Sequence, residues 1–211
     1  MLMRARLGRG GEGVPSLWLL SDPRRLPDPR PAMLALPRGA AVLLRDAAPE
    51  VAVAVARLCR QRGLHLMVSG DGRLALALGA GLHVPDRRPT RFLAAFLAGR
   101  RGRLLSVAVH GRRGITRARA LHASVALVSP AFATASHPGQ PGLGRWRWAA
   151  LARALPCPAV ALGGMSAARM RDLPPLRLGG WAAIGGLVVS GTQCVAEVAP
   201  PPPRRLPGGE G

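Results

Sequence analysis

The chain has 211 residues, 48% of them hydrophobic, with 30 basic against 10 acidic side chains and a formal net charge of +20. That length and apolar content support one buried core and exclude a low-complexity chain. Every basic residue is Arg, spread from Arg4 to Arg205, with no Tyr and seven other aromatics along the whole sequence; this is not the aromatic-interleaved basic track of a nucleic-acid binder, so nucleic acid is not expected as a partner and a basic nucleic-acid-binding protein stands only as the last alternative.

Residues 1–15 are Arg- and Gly-rich, and the short apolar "SLWLL" after them is cut off by Asp22 and Pro23. A frayed tail, and no signal peptide, is expected there. From residue 16 onward, short runs of Val, Leu and Ala alternate with longer Ala/Leu/Arg segments of helical spacing. The pattern predicts strands at 16–20, 41–45, 64–69, 81–84, 104–109, 125–129, 159–162 and 181–184. Helices are expected at 48–63, 71–80, 89–100, 115–123, 144–155 and 166–173. The first of these has an acidic first turn and a Gly stop, and the last has Ser166 as its N-cap. The first connection, "DPRRLPDPRPAMLALPRG", carries five prolines and has room for a helical fragment at most.

The strands are apolar throughout, as in a parallel sheet covered on both faces. Eight strand-helix units predict an α/β fold, a small (β/α)8 TIM barrel over 16–198, in preference to an open doubly wound sheet. Residues 199–211 form a Pro- and Gly-rich tail that cannot build a core. The uncharged stretch 178–196 holds five glycines and lacks the large apolar residues of a membrane span, so no membrane partner is expected. Cys59, Cys157 and Cys194 are odd in number and show no CxxC spacing; reduced thiols in a cytoplasmic protein follow.

In such a barrel, ligands meet the residues just after each strand. "AVALGGMS" ends a strand in Gly163 and Gly164 ahead of a capped helix, and "WAAIGG" ends the next in Gly185 and Gly186. Paired glycines let main-chain N–H groups approach a phosphate, though a bare pair also serves as a tight turn. Arg45 leaves the second strand as a forked donor for phosphate, or as the partner of Asp46 or another carboxylate. His137 sits with Thr134 and Ser136 in the uncharged loop "SPAFATASHPGQPGLG", as a proton carrier, a phosphate donor or a solvent-exposed side chain. His65, His83, His110 and His122 read as hydrogen-bonded structural residues. No Ser/His/Asp arrangement, HExxH, P-loop or GxGxxG fingerprint stands in the required context.

Read together, "LWLLSD", "VLLRD", "LALALGAGLHVP", the 129–144 loop, "AVALGGM" and "WAAIGG" resemble the strand ends of the thiamine phosphate synthase/TenI family, from about residue 17 to 187. The resemblance implies a barrel that joins a hydroxymethylpyrimidine diphosphate to a thiazole phosphate with release of diphosphate, or a TenI-type thiazole tautomerase. It also allows a non-catalytic binder of thiazole or thiamine phosphate. It implies Arg45 and His137 as catalytic residues and Thr134, Ser136, Gly163, Gly164, Gly185 and Gly186 as the phosphate cradle. Its partners would be small phosphorylated thiazoles or pyrimidines, and its cofactor Mg2+. This chain departs from the family at Leu43 (family Gln), Ala47 (Lys), Ser69 and Gly70 (Asn-Asp), near Arg88 (Asp), Ala108 (Ser), His137 (Lys) and Pro130 (the TenI His). Asp71 and Asp86 are the remaining candidates for the metal.

Overall fold

The computed structural model describes residues 13–134, 141–175 and 178–184. In chain order the elements are β1 (Leu17–Leu20), α1 (Arg30–Met33), β2 (Ala41–Leu44), α2 (Pro49–Arg62), β3 (His65–Ser69), α3 (Gly72–Ala77), β4 (Gly81–Val84) and α4 (Leu93–Gly99). They continue as β5 (Leu105–Val109), α5 (Arg112–Ala120), β6 (Val125–Val128), α6 (Gly144–Ala154), β7 (Ala159–Leu162), α7 (Ala167–Met170) and β8 (Leu178–Ala183). The strands pair in parallel in sequence order, and β8 returns to β1 through Leu17↔Trp181, Trp18↔Ala182 and Leu19↔Ala183, closing the (β/α)8 barrel.

Strand alternation divides the apolar residues into two layers. Trp18 and Leu20 of β1, Ala41 and Leu43 of β2, Met67 of β3, Val125 and Leu127 of β6, Val160 of β7 and Ala182 of β8 fill the barrel interior. Their neighbours of opposite parity, such as Leu19, Val42, Val68, Ala126 and Ala161, face the helices and share the outer layer with Val55, Phe96 and Trp148. Both faces of each strand are thereby covered, which is why the strands read as unbroken apolar runs. The Trp18 indole donates to Pro15 O at 2.7 Å, so this large ring is buried without leaving its N–H unpaired.

The helix sentences close as their signals require. Pro49 opens α2, Glu50 lies in its first turn, and Gly63 ends it at φ 63°. In three places tertiary contacts move the boundary. α5 starts at Arg112 and carries Gly114 inside it, where a Cβ would come within 2.9 Å of Val109 Cα, so this glycine lets the helix lie on β5 instead of ending it. Residues ahead of α4 do not join the helix: Arg91 N donates to Gly70 O and Gly72 N to Arg91 O, and Phe92 turns the chain at φ 53°. β8 begins at Leu178 because Gly180, which reads as a turn, packs against the backbone of Ser16.

Candidate functional site

The C-terminal ends of the strands form one mouth. The parity that places Leu20, Leu43 and Leu127 inside the barrel also turns Asp22, Arg45 and Ser129, two residues further along, toward that mouth. Ser106 and Ala108 continue to His110 in the same way on β5.

Arg45 is at the mouth and is already held. Its main-chain N–H donates to Ser21 Oγ at 2.8 Å, its Nε to Ser21 O at 2.8 Å, and a terminal nitrogen to Asp22 Oδ2 at 2.8 Å. Of the two roles open to Arg45, the structure supplies a carboxylate partner, and it is Asp22, with Asp46 instead bonded to Arg88 at 2.7 Å. Burial pushes the Arg45 guanidinium pKa down, with the Asp22 charge opposing it. Burial would raise the Asp22 carboxyl, but the Arg25 and Arg24 N–H donors and the Arg25 and Arg45 charges outweigh it and hold the group below its usual range.

The ends of β4, β5 and β6 carry a continuous hydrogen-bond chain. Asp86 Oδ2 lies 3.0 Å from His110 Nδ1, and His110 Nε2 lies 3.1 Å from Ser129 Oγ. The second Asp86 oxygen, Oδ1, accepts from Arg117 at 2.8 Å, and the same Arg117 nitrogen donates to Ala108 O at 2.7 Å. Burial would raise the Asp86 carboxyl, but hydrogen bonds and charge from Arg117 and His110 hold it low, so Asp86 is an ionised, acceptor-only group. His110 Nδ1 must then be the donor. In the neutral imidazole this leaves the Nε2 lone pair for the Ser129 hydroxyl proton.

Beneath them, His83 Nδ1 meets Ser106 Oγ at 2.9 Å in the closed interior. Burial, reinforced by the charges of Arg45, Arg117 and His110, pushes His83 down to about 3. It is a neutral structural residue.

The β7 end bears Gly163 at φ 91° and Gly164 at φ 62°, a left-handed pair that side-chain-bearing residues rarely adopt. A Cβ on Gly163 would come within 3.0 Å of Pro130 Cα, and one on Gly164 would strike the backbone of Phe132 and Ala133. Ala131 N donates to Leu162 O at 2.8 Å and Phe132 N to Gly163 O at 3.0 Å, so the 130–134 loop is laced to the glycine pair. Thr134 ends this described part of the loop, part-buried beside it. Ser166 caps α7 by accepting from Arg169 N at 3.2 Å, and Arg169 donates to Gly164 O at 2.7 Å. Ser136, His137, Gly185 and Gly186 lie outside the described residues.

A hard divalent cation requires several carboxylate oxygens turned toward it. Asp71 caps α3 by accepting from Leu74 N at 3.0 Å, and Asp86 is shared between Arg117 and His110. Asp22 and Asp46 are paired with arginines, and among the described residues no three His, Cys, Asp or Glu side chains form a group that could hold a metal. Leu43, where the family carries Gln, is packed in the apolar interior. The described residues therefore do not fit a carboxylate-bound Mg2+ site, and neither Asp71 nor Asp86 is turned to that use.

Three features were not assembled from the sequence: Asp22 as the partner of Arg45, Ser129 as the partner of His110, and Arg169 beside Gly164. The first two were within reach of strand parity; the last depends on a short helix whose direction only the fold sets.

The fold has close counterparts among solved structures. Thiamine phosphate pyrophosphorylase from Pyrococcus furiosus superposes with a TM-score of 0.65 at 20% identity, covering 80% of this chain and 84% of that one. A structure described as native KDPGal gives 0.58 at 13% identity over 92% and 90% of the two chains. An HpcH/HpaI aldolase from Desulfitobacterium hafniense DCB-2 gives 0.53 at 10% identity over 80% and 85%. At these identities the likeness is one of fold, shared by synthase and aldolase alike. No curated protein matches the sequence. The model of one family does, across residues 41–187, from β2 through the glycine pair of β7 and beyond β8, and the chain belongs to that family, thiamine monophosphate synthase.

Proposed function

We propose that this barrel binds a small phosphorylated thiazole or pyrimidine at its mouth, with Gly163, Gly164 and Thr134 at the phosphate; Ser136, Gly185 and Gly186 as further phosphate ligands, and His137 as a catalytic candidate, lie outside the described residues. The observation that carries the reading is the left-handed Gly163–Gly164 pair at the end of β7, a backbone form that can turn main-chain N–H groups toward an anion, with the 130–133 loop packed against it. Arg169, held on Gly164 O, adds a positive charge at the same rim.

The family reaction breaks the bond between the pyrimidine methylene and its diphosphate, and the thiazole nitrogen attacks the resulting carbocation. Stabilising the leaving diphosphate is the main catalytic demand. Arg45 is our candidate for it, but its charge is balanced by Asp22 at 2.8 Å, and the carboxylates of the mouth are committed to arginines, His110 or a helix cap. Binding with little or no joining is the function this geometry supports best.

Thermal unfolding with added ligand tests it. Thiazole phosphate or thiamine phosphate at about 100 times its Kd adds about 2.7 kcal/mol to the native state, while the unphosphorylated thiazole at the same concentration gives a much smaller rise. A thiamine-requiring strain lacking its synthase is not rescued. Absence of any phosphate-dependent rise overturns the binding reading. Rescue, with Mg2+-dependent release of diphosphate, moves the protein to the transferases, and turnover of a thiazole carboxylate moves it to the tautomerases.

A further inference from the structure

The hydrogen-bond chain Asp86–His110–Ser129 has no part in the phosphate cradle. Its three members come from separate stretches of sequence, after β4, β5 and β6, and meet because those strands are neighbours in the barrel. Each atom has the role that nucleophilic catalysis by a serine requires. The carboxylate orients the imidazole through Nδ1, Nε2 faces the hydroxyl, and the hydroxyl stands at the rim of a concave mouth.

The supporting contacts fix this arrangement. Arg117 holds the second oxygen of Asp86 and also the β5 carbonyl of Ala108, tying the carboxylate to the strand that bears His110. Ser129 N donates to Val109 O at 3.1 Å, locking the serine backbone to the residue before the histidine. Just beyond Ser129, Ala131 N and Phe132 N are bonded to the β7 end. The Ser129 residue is only 9% exposed, whereas 45% of the His110 side chain is open, so a substrate reaches the pair from the histidine side of the mouth.

We propose that Ser129 is a His110-activated nucleophile and that the barrel hydrolyses small carboxylic esters. As Ser129 Oγ bonds to the acyl carbon, its proton passes to His110 Nε2. The carbon–alkoxide bond breaks, and the imidazolium gives that proton to the departing alkoxide. Water, deprotonated by the same nitrogen, then attacks the acyl carbon; the acyl–Oγ bond breaks and Ser129 recovers a proton. One ester and one water become one acid and one alcohol, with no other reactant. Asp86 is a positioning residue, holding the imidazole in the tautomer that can accept from Ser129.

The test is covalent labelling of the full chain with a fluorophosphonate, which replaces fluoride at phosphorus with the serine oxygen, followed by peptide mass mapping. p-Nitrophenyl acetate hydrolysis is measured in parallel. The adduct is expected on the peptide containing Ser129. Ser129→Ala removes it, and His110→Gln lowers both labelling and hydrolysis at least about 100-fold, the usual contribution of a general base. Asp86→Asn lowers kcat about tenfold or more with KM for the ester unchanged, a split that loss of packing alone does not produce. Near-ultraviolet circular dichroism confirms that each variant is folded. No adduct, an adduct on another hydroxyl such as Ser106, or labelling as rapid in His110→Gln as in the native chain overturns the proposal. Mapping on the native chain decides the matter even if a variant fails to fold, and either result leaves the phosphate-binding reading to its own test.

Discussion

His83 illustrates what a fully enclosed titratable group does to stability. Its partner Ser106 can satisfy one ring nitrogen of the neutral imidazole, but burial penalises a second proton, and nearby Arg45, Arg117 and His110 oppose it. The unfolded chain binds that proton near pH 6.5, whereas the folded chain resists it down to about 3. Stability from this residue is therefore fully present above pH 6.5 and is lost as pH falls from 6.5 toward 3, at about 1.4 kcal/mol per pH unit where only the unfolded state is protonated. Urea unfolding at pH 7 and pH 5 should differ by about 2 kcal/mol, and the difference should largely vanish in His83→Gln. An equal loss in that variant would place the acid sensitivity elsewhere. Cys59 shows the same physics in a thiol: burial pushes it up to about 12, so iodoacetamide at pH 8 should alkylate it only after denaturation. Rapid native-state alkylation of Cys59, read by mass spectrometry, would contradict its burial against the outer layer.

At the scale of elements, two glycines inside helices make opposite predictions for the same substitution. Gly114 of α5 faces the β5 backbone, with Val109 Cα 2.9 Å and Ala108 O 3.2 Å from an added Cβ, so Gly114→Ala must push the helix off its strand and should cost about 1–3 kcal/mol. Gly99, at the end of α4, would meet only Leu76 methyls at 3.4 and 3.5 Å, and Gly99→Ala should gain up to about 1 kcal/mol from helix propensity and the smaller unfolded-state entropy. Denaturant midpoints at constant slope distinguish the signs. The same glycines explain where sequence reading stopped. Val42 and Val160 reveal strands because their neighbours are apolar on both sides, and Gly63 reveals the end of α2. Gly114 is required by the β5 backbone at Val109, only five residues earlier but brought against it by the β5–α5 turn, and Gly180 by Ser16 near the other end of the sequence; apolar periodicity gives no sign of either. The site divided similarly. Gly163, Gly164 and Arg45 were legible as residues after strands, whereas the convergence of Asp86, His110 and Ser129 required knowing that β4, β5 and β6 are adjacent and in what register.

At the scale of the molecule, electrostatics follows from a simple imbalance. Ten acidic residues cannot pair with thirty arginines, and a net +20 remains. A folded chain of this length has a radius of gyration of about 17 Å, against about 50 Å unfolded. The Debye length is about 30 Å in 10 mM salt and about 8 Å in 150 mM. In dilute salt, then, each uncompensated arginine of the folded barrel is repelled by nearly all the others, while much of that repulsion is relieved on unfolding. Adding salt screens these long-range terms first. Ion pairs in direct contact, such as Arg45–Asp22 and Arg117–Asp86 at 2.8 Å, lie well inside the shorter screening length and lose less. More exposed pairs such as Arg88–Asp46 contribute at most about 1 kcal/mol each and cannot reverse the balance. The melting temperature at pH 7 should accordingly rise by several degrees between 10 and 150 mM sodium chloride, each 1 kcal/mol corresponding to about 2–4 °C in a chain of this size. Chloride is the appropriate salt, because any binding of phosphate or sulfate at the proposed glycine cradle would be added to the screening effect. A fall in melting temperature over that range would mean that the contact pairs outweigh the summed repulsion, and that the arginine excess is better compensated in the folded chain than its composition implies.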